Sequence, residues 1–198
     1  GLRKLSRGFA VCALKPIETG FGSLEDSDAG AIARAAGHPA VRPHFIHPDP
    51  LGPFATSRRS GSELTLKAIA QWIDSEERRW CNSPQPAANR VTLVETAGGL
   101  FTPLTPQATN LDLVRAMGAD ALVLVARNRL GALHDVLAIH SAIAAHGRLP
   151  IAVILNTMTD DAPATNLEDL RLCGVTPAMC DPDDNALTDL AVQLLSLG

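Results

Sequence analysis

The sequence predicts an α/β fold with a doubly wound, mostly parallel sheet that carries helices on both faces. Four short apolar runs alternate along the chain with stretches whose apolar residues recur at helical spacing, and this alternation is typical of such sheets. Three of the runs are continuous and rich in Val, Ile and Leu, as expected of strands covered on both faces. The predicted strands are residues 9–14, 91–94, 121–126 and 151–155.

Capping residues and apolar spacing predict the helices. Asp26-Ser27-Asp28 can cap a helix that runs through Ala36 and ends at Gly37. Ser60 and Glu63 have the spacing of a capping box, which predicts the start of another helix. The apolar face of that helix would carry Leu64, Ile69, Trp72 and Ile73. Further helices are predicted at residues 110–117, 133–145, 166–172 and 185–197.

Two stretches lack a clear period and are predicted as loops. Residues 38–61 contain five prolines, and residues 81–89 are rich in Pro and Asn. The sequence has no internal repeat or low-complexity tract, so residues 1–198 are predicted to form a single domain. Phe101 and Trp72 are expected in its core.

Composition and charge exclude several classes of protein. The chain has 198 residues, of which 46% are hydrophobic and 19% charged, so it can bury a core and is not intrinsically disordered. With 17 Lys and Arg against 21 Asp and Glu, the net charge of −4 argues against nucleic acid as a partner. No apolar run approaches the roughly 18 residues that a membrane helix needs. The four cysteines are scattered without a C-x-x-C pair, which favours reduced, mostly buried thiols and a cytoplasmic location.

Polar residues follow each of the four predicted strands. They are Lys15, Glu95, Arg127-Asn128 and Asn156. Ligands of open α/β sheets bind outside the carboxyl ends of the strands. The sequence therefore predicts a site where a cation, an anion, a basic pair and an amide converge.

Glu95 is the strongest candidate, because it follows a buried strand directly and precedes two glycines. A carboxylate there can hold Mg²⁺, which usually takes one or two carboxylates and keeps several waters. Gly98 and Gly99 would let backbone N–H groups approach a phosphate or carboxylate closely. The alternative is an ordinary turn with a solvated glutamate, and the spacing alone leaves both interpretations open.

Three further residues have both a functional and a structural interpretation. Lys15, fixed by Pro16, supplies a point charge suited to an anionic reaction centre, or it is a solvated loop lysine. Asp28 is a second metal carboxylate or a favourable charge in the first turn of a helix. Asn156 reads a base, since its amide both donates and accepts hydrogen bonds, or it closes a turn.

Three stretches resemble the dethiobiotin synthetase family. They are Lys15-Pro16-Ile17-Glu18-Thr19-Gly20, Val94-Glu95-Thr96-Ala97-Gly98-Gly99-Leu100-Phe101-Thr102-Pro103-Leu104 and Arg129-Leu130-Gly131-Ala132-Leu133-His134. Their order and spacing fit the family from about residue 5 to the C-terminus. The resemblance implies a P-loop NTPase-like fold and an ATP- and Mg²⁺-dependent ligase of biotin biosynthesis. That ligase carboxylates 7,8-diaminopelargonic acid with CO₂ and closes the ureido ring of dethiobiotin.

The resemblance also implies roles for Lys15 and Glu95 and for two residues close to them in the sequence or the predicted fold. Lys15 would stabilise the carbamate and the transferring phosphoryl group, and Thr19 would hydrogen-bond the diamine end of the substrate. Asp28 and Glu95 would hold Mg²⁺, with Glu95 also at the nucleotide. Charge neutralisation and positioning carry most of the rate in such phosphoryl transfers.

Substrate and nucleotide contacts are implied for four more residues. Gly98 and Gly99 would lie against the substrate or the phosphates. Asn156 would read the adenine, and Pro177 would lie near it.

The family is a homodimer in which the carboxylate tail of the substrate reaches a helix N-terminus of the partner subunit. Here that contact would involve Leu130, Gly131 and His134, and a helix N-terminus suits a carboxylate. The chain departs from the family pattern at Thr96, where Gly is usual, and at His134-Asp135, where Asn-His is usual. An aspartate beside a carboxylate site is expected to weaken tail binding unless it points outward.

The sequence contains no G-x-x-x-x-G-K-[ST], the loop on which the family binds the ATP phosphates. Measured back from Lys15, Gly1 falls inside the helix that would follow this loop. We therefore expect these 198 residues to lack the first strand and the phosphate loop, and to be inactive alone. Two alternatives remain: a non-catalytic or regulatory relative without ATP binding, and a related P-loop amidotransferase-like enzyme. Mg-ATP binding and diaminopelargonic-acid-dependent release of ADP distinguish them.

Overall fold

The computed structural model describes residues 10–82, 90–146, 149–156 and 165–180. The chain divides into two compact units, Leu2–Gly118 and Ala119–Gly198. Each unit has a hydrophobic core of its own. The single-domain organisation expected for residues 1–198 stays a prediction.

The described residues of both units form strands and helices. In the first unit these are β1 (Ala10–Leu14), β2 (Ile17–Thr19), α1 (Asp28–Ala36), β3 (Phe45–His47), α2 (Pro53–Ser60), α3 (Leu66–Cys81), β4 (Arg90–Val94), β5 (Pro103–Thr105), β6 (Ala108–Thr109) and α4 (Asn110–Ala116). In the second unit they are β7 (Leu122–Arg127), α5 (Ala132–His146), β8 (Ile151–Asn156), α6 (Asn166–Leu172) and β9 (Ala178–Cys180).

The parallel pair β1–β4 organises the first unit. The register runs from Ala10 opposite Arg90 to Leu14 opposite Val94. The Glu95 N–H then donates to the Leu14 carbonyl at 2.9 Å, which extends the pairing by one residue. The residues that follow β1 and β4 therefore leave the sheet side by side. The first unit also contains two shorter strand pairs, parallel β2–β3 and antiparallel β5–β6.

Helices cover both faces of β1. Cys12 and Leu14 belong to the core cluster that includes apolar residues of α3. Val11 and Ala13 point to the other face and pack with Ala36 of α1. This is the doubly wound arrangement that the sequence predicts. Burial in this core raises the pKa of the Cys12 thiol to about 12.

An imidazole occupies the side of β1 that faces away from β4. The Ala13 N–H donates to His38 Nε2 at 2.9 Å. His38 Nδ1 lies 2.7 Å from the Pro39 carbonyl, so Nδ1 carries the proton and Nε2 accepts. His38 directly follows Gly37, which ends α1 in the left-handed region at a φ of 82°.

The second unit is a parallel sheet in the order β7–β8–β9. Leu124 and Ala126 of β7 pack against the core that contains Val136 of α5. Val123 and Val125 point the other way, and Val125 is 60% exposed. The described residues therefore show one packed face of this strand, and its coverage on both faces stays a prediction.

The start and end of α1 are as predicted, whereas the capping box at Ser60 is wrong. Ser60 ends α2 and donates its hydroxyl back to the Ser57 carbonyl at 3.2 Å. Thr65 caps α3 instead, accepting from the Ala68 N–H at 3.2 Å. The loop predicted for residues 38–61 is also wrong, since it contains β3 and α2, and Pro53 opens α2 where its missing N–H is harmless.

The remaining sequence expectations have mixed outcomes. The helices predicted at residues 110–117, 133–145 and 166–172 are present within one residue at each end. The helix predicted at residues 185–197 lies outside the described residues. Phe101 is 47% exposed, and Cys81 and Cys173 are exposed, so these side chains are not in the core. None of the described helices is long and apolar enough to span a membrane.

Candidate active site

Lys15 brings two carboxylates together at the carboxyl ends of β1 and β4. Lys15 Nζ lies 2.5 Å from Glu95 Oε1 and 3.1 Å from Asp28 Oδ2. The lysine side chain is 6% exposed, while Asp28 and Glu95 are 64% and 44% exposed. These three residues are here called the lysine site. The contact between Lys15 and Glu95 confirms that the strand-end residues of this unit converge, and their convergence with Arg127-Asn128 and Asn156 stays a prediction. The solvated-loop alternative for Lys15 is wrong.

Electrostatics keep the Lys15 ammonium charged. Burial lowers the pKa of Lys15, but the hydrogen bond and charge of Glu95, and then those of Asp28, outweigh burial and raise the pKa above its ordinary value. Because the folded pKa is raised, the stability that this ammonium contributes is present throughout the neutral range and is lost only as the pH rises through the folded pKa. Lys15 is thus a fixed positive charge at neutral pH.

A third carboxylate, missed by the sequence analysis, anchors the helix that carries Asp28. Glu18 lies in β2 and is 5% exposed. Its Oε1 accepts from the Asp28 N–H at 2.7 Å and its Oε2 from the Ala29 N–H at 3.1 Å. Its place three residues after Lys15, in a strand, was the available signal, but the contact depends on a helix that begins ten residues later.

The two glycines lie in a loop held by a buried amide. Gly98 has a φ of 79°, and a Cβ there would lie 2.6 Å from Thr102 Oγ1, so only glycine fits. Gly99 has open space where a Cβ would be. Asn110, fully buried, donates from Nδ2 to the Ala97 and Gly99 carbonyls at 2.9 Å each. Residues 96–100, here called the glycine loop, are therefore fixed from behind.

The remaining predicted residue of the first unit is Thr19, at the end of β2. Thr19 pairs with His47 of β3 and is partly exposed. It follows Glu18 directly, so the segment that carries Lys15 also carries Thr19. The function predicted for Thr19 stays a prediction.

In the second unit, the residues after β7 form the turn that opens α5. Leu130 is 88% exposed, Gly131 has a φ of 90°, and His134 is exposed in the first turn of α5. Arg129 Nη2 donates to Asp135 Oδ2 at 2.8 Å. The carboxylate of Asp135 is therefore paired with a guanidinium of its own turn.

Two buried asparagines hold the same turn. Asn166 Nδ2 donates to Asn128 Oδ1 at 2.7 Å and to the Arg129 carbonyl at 3.1 Å. Asn156, the last residue of β8, accepts from the Asn128 N–H through its carbonyl at 2.9 Å. Pro177 is buried directly before β9. The adenine contacts expected of Asn156 and Pro177 stay predictions.

The carboxylates of Asp28 and Glu95 suit a cation that is bound partly by the protein and partly by a substrate. Among the described residues, no three His, Cys, Asp or Glu side chains cluster as a closed metal site. The lysine site instead offers two partly exposed carboxylates from different elements. Mg²⁺ is usually bound through one or two carboxylates, waters and substrate phosphates. The residues present therefore fit Mg²⁺ held together with a nucleotide.

Comparison with known proteins places this fold in a class. Residues 2–181 match the family model described as AAA domain, which is P-loop NTPase-like. An ATP-dependent dethiobiotin synthetase of Caulobacter vibrioides is 35% identical over 162 residues, which cover 79% of this chain and 69% of that protein. One from Anaeromyxobacter dehalogenans is 31% identical, covering 85% and 73%. One from a Mycobacterium species (strain KMS) is 36% identical, covering 70% and 59%.

The class is thus an α/β protein of the P-loop NTPase-like type. Within it, the chain belongs to the dethiobiotin synthetase family. The family, the fold class and the ATP-dependent synthetase class expected from the sequence are thereby confirmed.

Proposed function

We propose that the protein containing these 198 residues catalyses the ATP- and Mg²⁺-dependent carboxylation of 7,8-diaminopelargonic acid with CO₂ and the ring closure to dethiobiotin. The observation that carries the proposal is the position of Lys15 Nζ, buried between Glu95 and Asp28 at the carboxyl ends of two parallel strands. Ligands of this fold bind at those ends. A permanently charged ammonium there suits a reaction whose intermediates are anions.

Lys15 would stabilise the negative charge that the reaction moves. A carbamate carries one negative charge, and a transferring phosphoryl group spreads charge over its oxygens. Because Glu95 and Asp28 hold the ammonium in place, little reorganisation is needed when that charge develops. Thr19, on the same segment, would hydrogen-bond the diamine end of the substrate.

Asp28 and Glu95 would hold Mg²⁺, whose chemistry is to neutralise the phosphate oxygens during transfer. Both side chains are partly exposed besides their contact with Lys15. The glycine loop would bring its backbone against the substrate or phosphates, with Gly98 and Gly99 nearest. Asn156 would read the adenine, with Pro177 beside it.

The chain would act as a homodimer, in the cytoplasm, with the substrate's carboxylate tail at Leu130, Gly131 and His134 of the partner copy. The pairing of Asp135 with Arg129 bears on the tail contact alone and supports it, because a carboxylate paired with a guanidinium repels a second carboxylate less. The departure from the family pattern at Asp135 would therefore weaken tail binding less than an unpaired aspartate would.

The test uses the full-length natural protein and measures ADP release with Mg-ATP, bicarbonate and 7,8-diaminopelargonic acid. We expect release that depends on the diamine, and we expect Glu95→Gln to abolish the Mg²⁺-dependent rate while leaving the fold intact. Asp74→Asn is the matched control, since it removes an exposed carboxylate from an ion pair on α3. Failure to bind Mg-ATP at millimolar concentration would indicate a non-catalytic relative. ATP hydrolysis without dependence on the diamine would indicate an amidotransferase-like enzyme.

A further inference from the structure

The roles proposed above leave the buried carboxylate of Glu18 unused. None of the ion pairs formed among the described residues includes Glu18, although it is 5% exposed. Its two oxygens are instead occupied by two backbone donors, the N–H groups of Asp28 and Ala29. A buried carboxylate without a cationic partner is expensive unless such donors satisfy it. The pair of bonds therefore accounts for its burial.

These donors are the first N–H groups of α1. A helix leaves its first four N–H groups without an internal partner, and its N-terminus carries partial positive charge. Glu18 satisfies the first two, and Ser27 Oγ accepts from the third, Gly30, at 3.0 Å. The turn before the helix is tight, because a Cβ on Gly30 would lie 2.2 Å from the Leu24 carbonyl. The start of α1 thus has one well-defined position.

Fixing this helix start also fixes Asp28. Asp28 is the first residue of α1, and its backbone N–H is held by Glu18 while its side chain contacts Lys15. Lys15 and Glu18 belong to one short segment whose connecting residues are buried. The segment therefore holds α1 at two points, by the Glu18 carboxylate on the backbone and by the Lys15 ammonium on the side chain.

We infer that Glu18 is a positioning residue for the reaction, which holds the start of α1 so that the Asp28 carboxylate stays at Lys15 and available to Mg²⁺. This inference rests on the proposed function, in which Asp28 holds the metal. Residues that orient metal ligands typically change metal affinity or activity 10–100-fold when replaced. Glu18 would act only through Asp28.

Glu18→Gln is the discriminating substitution, because it keeps the shape of the side chain. One amide oxygen can still accept from one N–H, but the amide NH₂ then faces the other N–H, donor against donor. Ser27→Ala is the matched control: it removes another bond at the start of the same helix without touching the N–H of Asp28. Both variants are expected to lower the unfolding temperature by a few degrees.

The experiment is a double-mutant cycle in the full-length protein with Glu18→Gln, Asp28→Asn and both together. Two quantities are measured: kcat/KM for the diamine, and Mn²⁺ affinity by electron paramagnetic resonance with a non-hydrolysable ATP analogue. We expect Glu18→Gln to lower both by about tenfold. The double variant should be no more than about twofold worse than Asp28→Asn, while Ser27→Ala leaves both near the wild-type value.

Two results would overturn the inference. Independent, multiplying losses from Glu18→Gln and Asp28→Asn would show that Glu18 does not act through Asp28. Wild-type Mn²⁺ affinity in Glu18→Gln, with weaker binding in Asp28→Asn, would show that the helix start does not set the metal site, and wild-type affinity in Asp28→Asn would show that Asp28 does not hold the metal. Absence of diamine-dependent ADP release in the wild type would instead overturn the proposed function, and the Mn²⁺ measurement would still decide the role of Glu18.

Discussion

In both units a buried asparagine holds the loop that follows a parallel strand, but the side chains beside the two loops differ in charge. In the first unit, Asn110 begins α4 and donates to two carbonyls of the glycine loop. In the second, Asn166 begins α6 and donates to the Arg129 carbonyl and to the Asn128 side chain. Each is a buried amide in the first position of a helix. The loop backbone is therefore fixed in the same way in both.

The difference lies in the charges. The first unit buries an ammonium between carboxylates, whereas the buried polar side chains at the corresponding loop of the second unit are the neutral amides of Asn128 and Asn166. A fixed buried charge stabilises a charged intermediate, while neutral amides and exposed backbone recognise shape. On the proposed function, the reacting groups would therefore belong to the first unit and recognition to the second.

The largest effect is expected when the buried charge is removed. Lys15→Met keeps the length and packing of the side chain but removes the ammonium, and we expect kcat to fall by about 10²–10³-fold. The unfolding temperature should change little, because the two carboxylates left behind are partly exposed. Steady-state kinetics and thermal melts of the full-length protein measure both.

Arg129→Met is the corresponding substitution in the second unit. We expect it to raise the KM for the diamine severalfold at constant kcat, since it leaves Asp135 unpaired near the proposed tail contact. A large drop in kcat for Arg129→Met would break the assignment of chemistry to the first unit alone.

The glycine loop contains two glycines with different roles. Gly98 is required by its backbone conformation, whereas Gly99 only leaves space beside the backbone. Gly99→Ala has room and an ordinary φ, so the free energy of unfolding should stay within about 0.5 kcal/mol of wild type. If a ligand lies against this backbone, kcat/KM should fall about tenfold or more. An active, stable Gly99→Ala enzyme would contradict the proposed contact.

Gly98→Ala should behave differently from Gly99→Ala. Its φ of 79° and the 2.6 Å approach of a Cβ to Thr102 Oγ1 both oppose a side chain. We expect a loss of about 1–3 kcal/mol in unfolding free energy, measured by urea denaturation.

Replacing Asn110 and Asn166 in turn tests whether their hydrogen bonds to the loops contribute equally to the stability of the two units. Asn110→Leu and Asn166→Leu each leave loop acceptors without their donor, and each should lower the unfolding free energy by about 1–3 kcal/mol. Asn110→Leu also removes a buried carbonyl oxygen that has no hydrogen-bond partner among the described residues, so its loss should be the smaller. Urea denaturation of both variants measures the difference, and a larger loss for Asn110→Leu would contradict it.

The smallest effect concerns acid stability at the start of α4. The Asp112 carboxylate accepts from the Thr109 N–H at 2.8 Å and from the Thr109 hydroxyl at 3.0 Å, and these bonds lower the pKa of Asp112. With a depressed folded pKa, the contribution is present above the unfolded value of about 3.9 and is lost as the pH falls through the folded pKa. Asp112→Asn should melt below wild type at pH 7, with the gap closing below about pH 4.

The start of α6 provides the contrast, because Thr165 makes no side-chain bond to the helix. We expect Thr165→Ala to leave the melting temperature unchanged at every pH. A gap for Asp112→Asn that persisted at low pH would show that the loss is not electrostatic.

The sequence was sufficient where local patterns decide the structure. Apolar runs predicted the main strands, and the parallel register then placed Lys15 beside Glu95 without further information. The cap of α1 was equally local, since Ser27 bonds to a residue three positions away. The family motifs added the expected roles.

Where the sequence failed, the deciding contact was not local or competed with another. Ser60 has capping-box spacing, but its hydroxyl bonds back into α2. The roles of Glu18 and Asn110 depend on partners ten or more residues away, which no spacing rule indicates. The alternating exposure along β7 could not be foreseen either, because a run of Leu and Val looks the same whether its alternate residues are buried or exposed.

The hydrogen bond between the His38 imidazole and the Ala13 N–H affects whether another chain can pair with β1. A sheet margin with free N–H groups is a template on which a strand from another chain can add. At β1 the position that such a strand would need is taken by His38, whose neutral ring accepts the Ala13 N–H and whose place is set by the end of α1. At this margin of the described pair β1–β4, His38 thus removes one of the hydrogen-bond donors that an added strand would need.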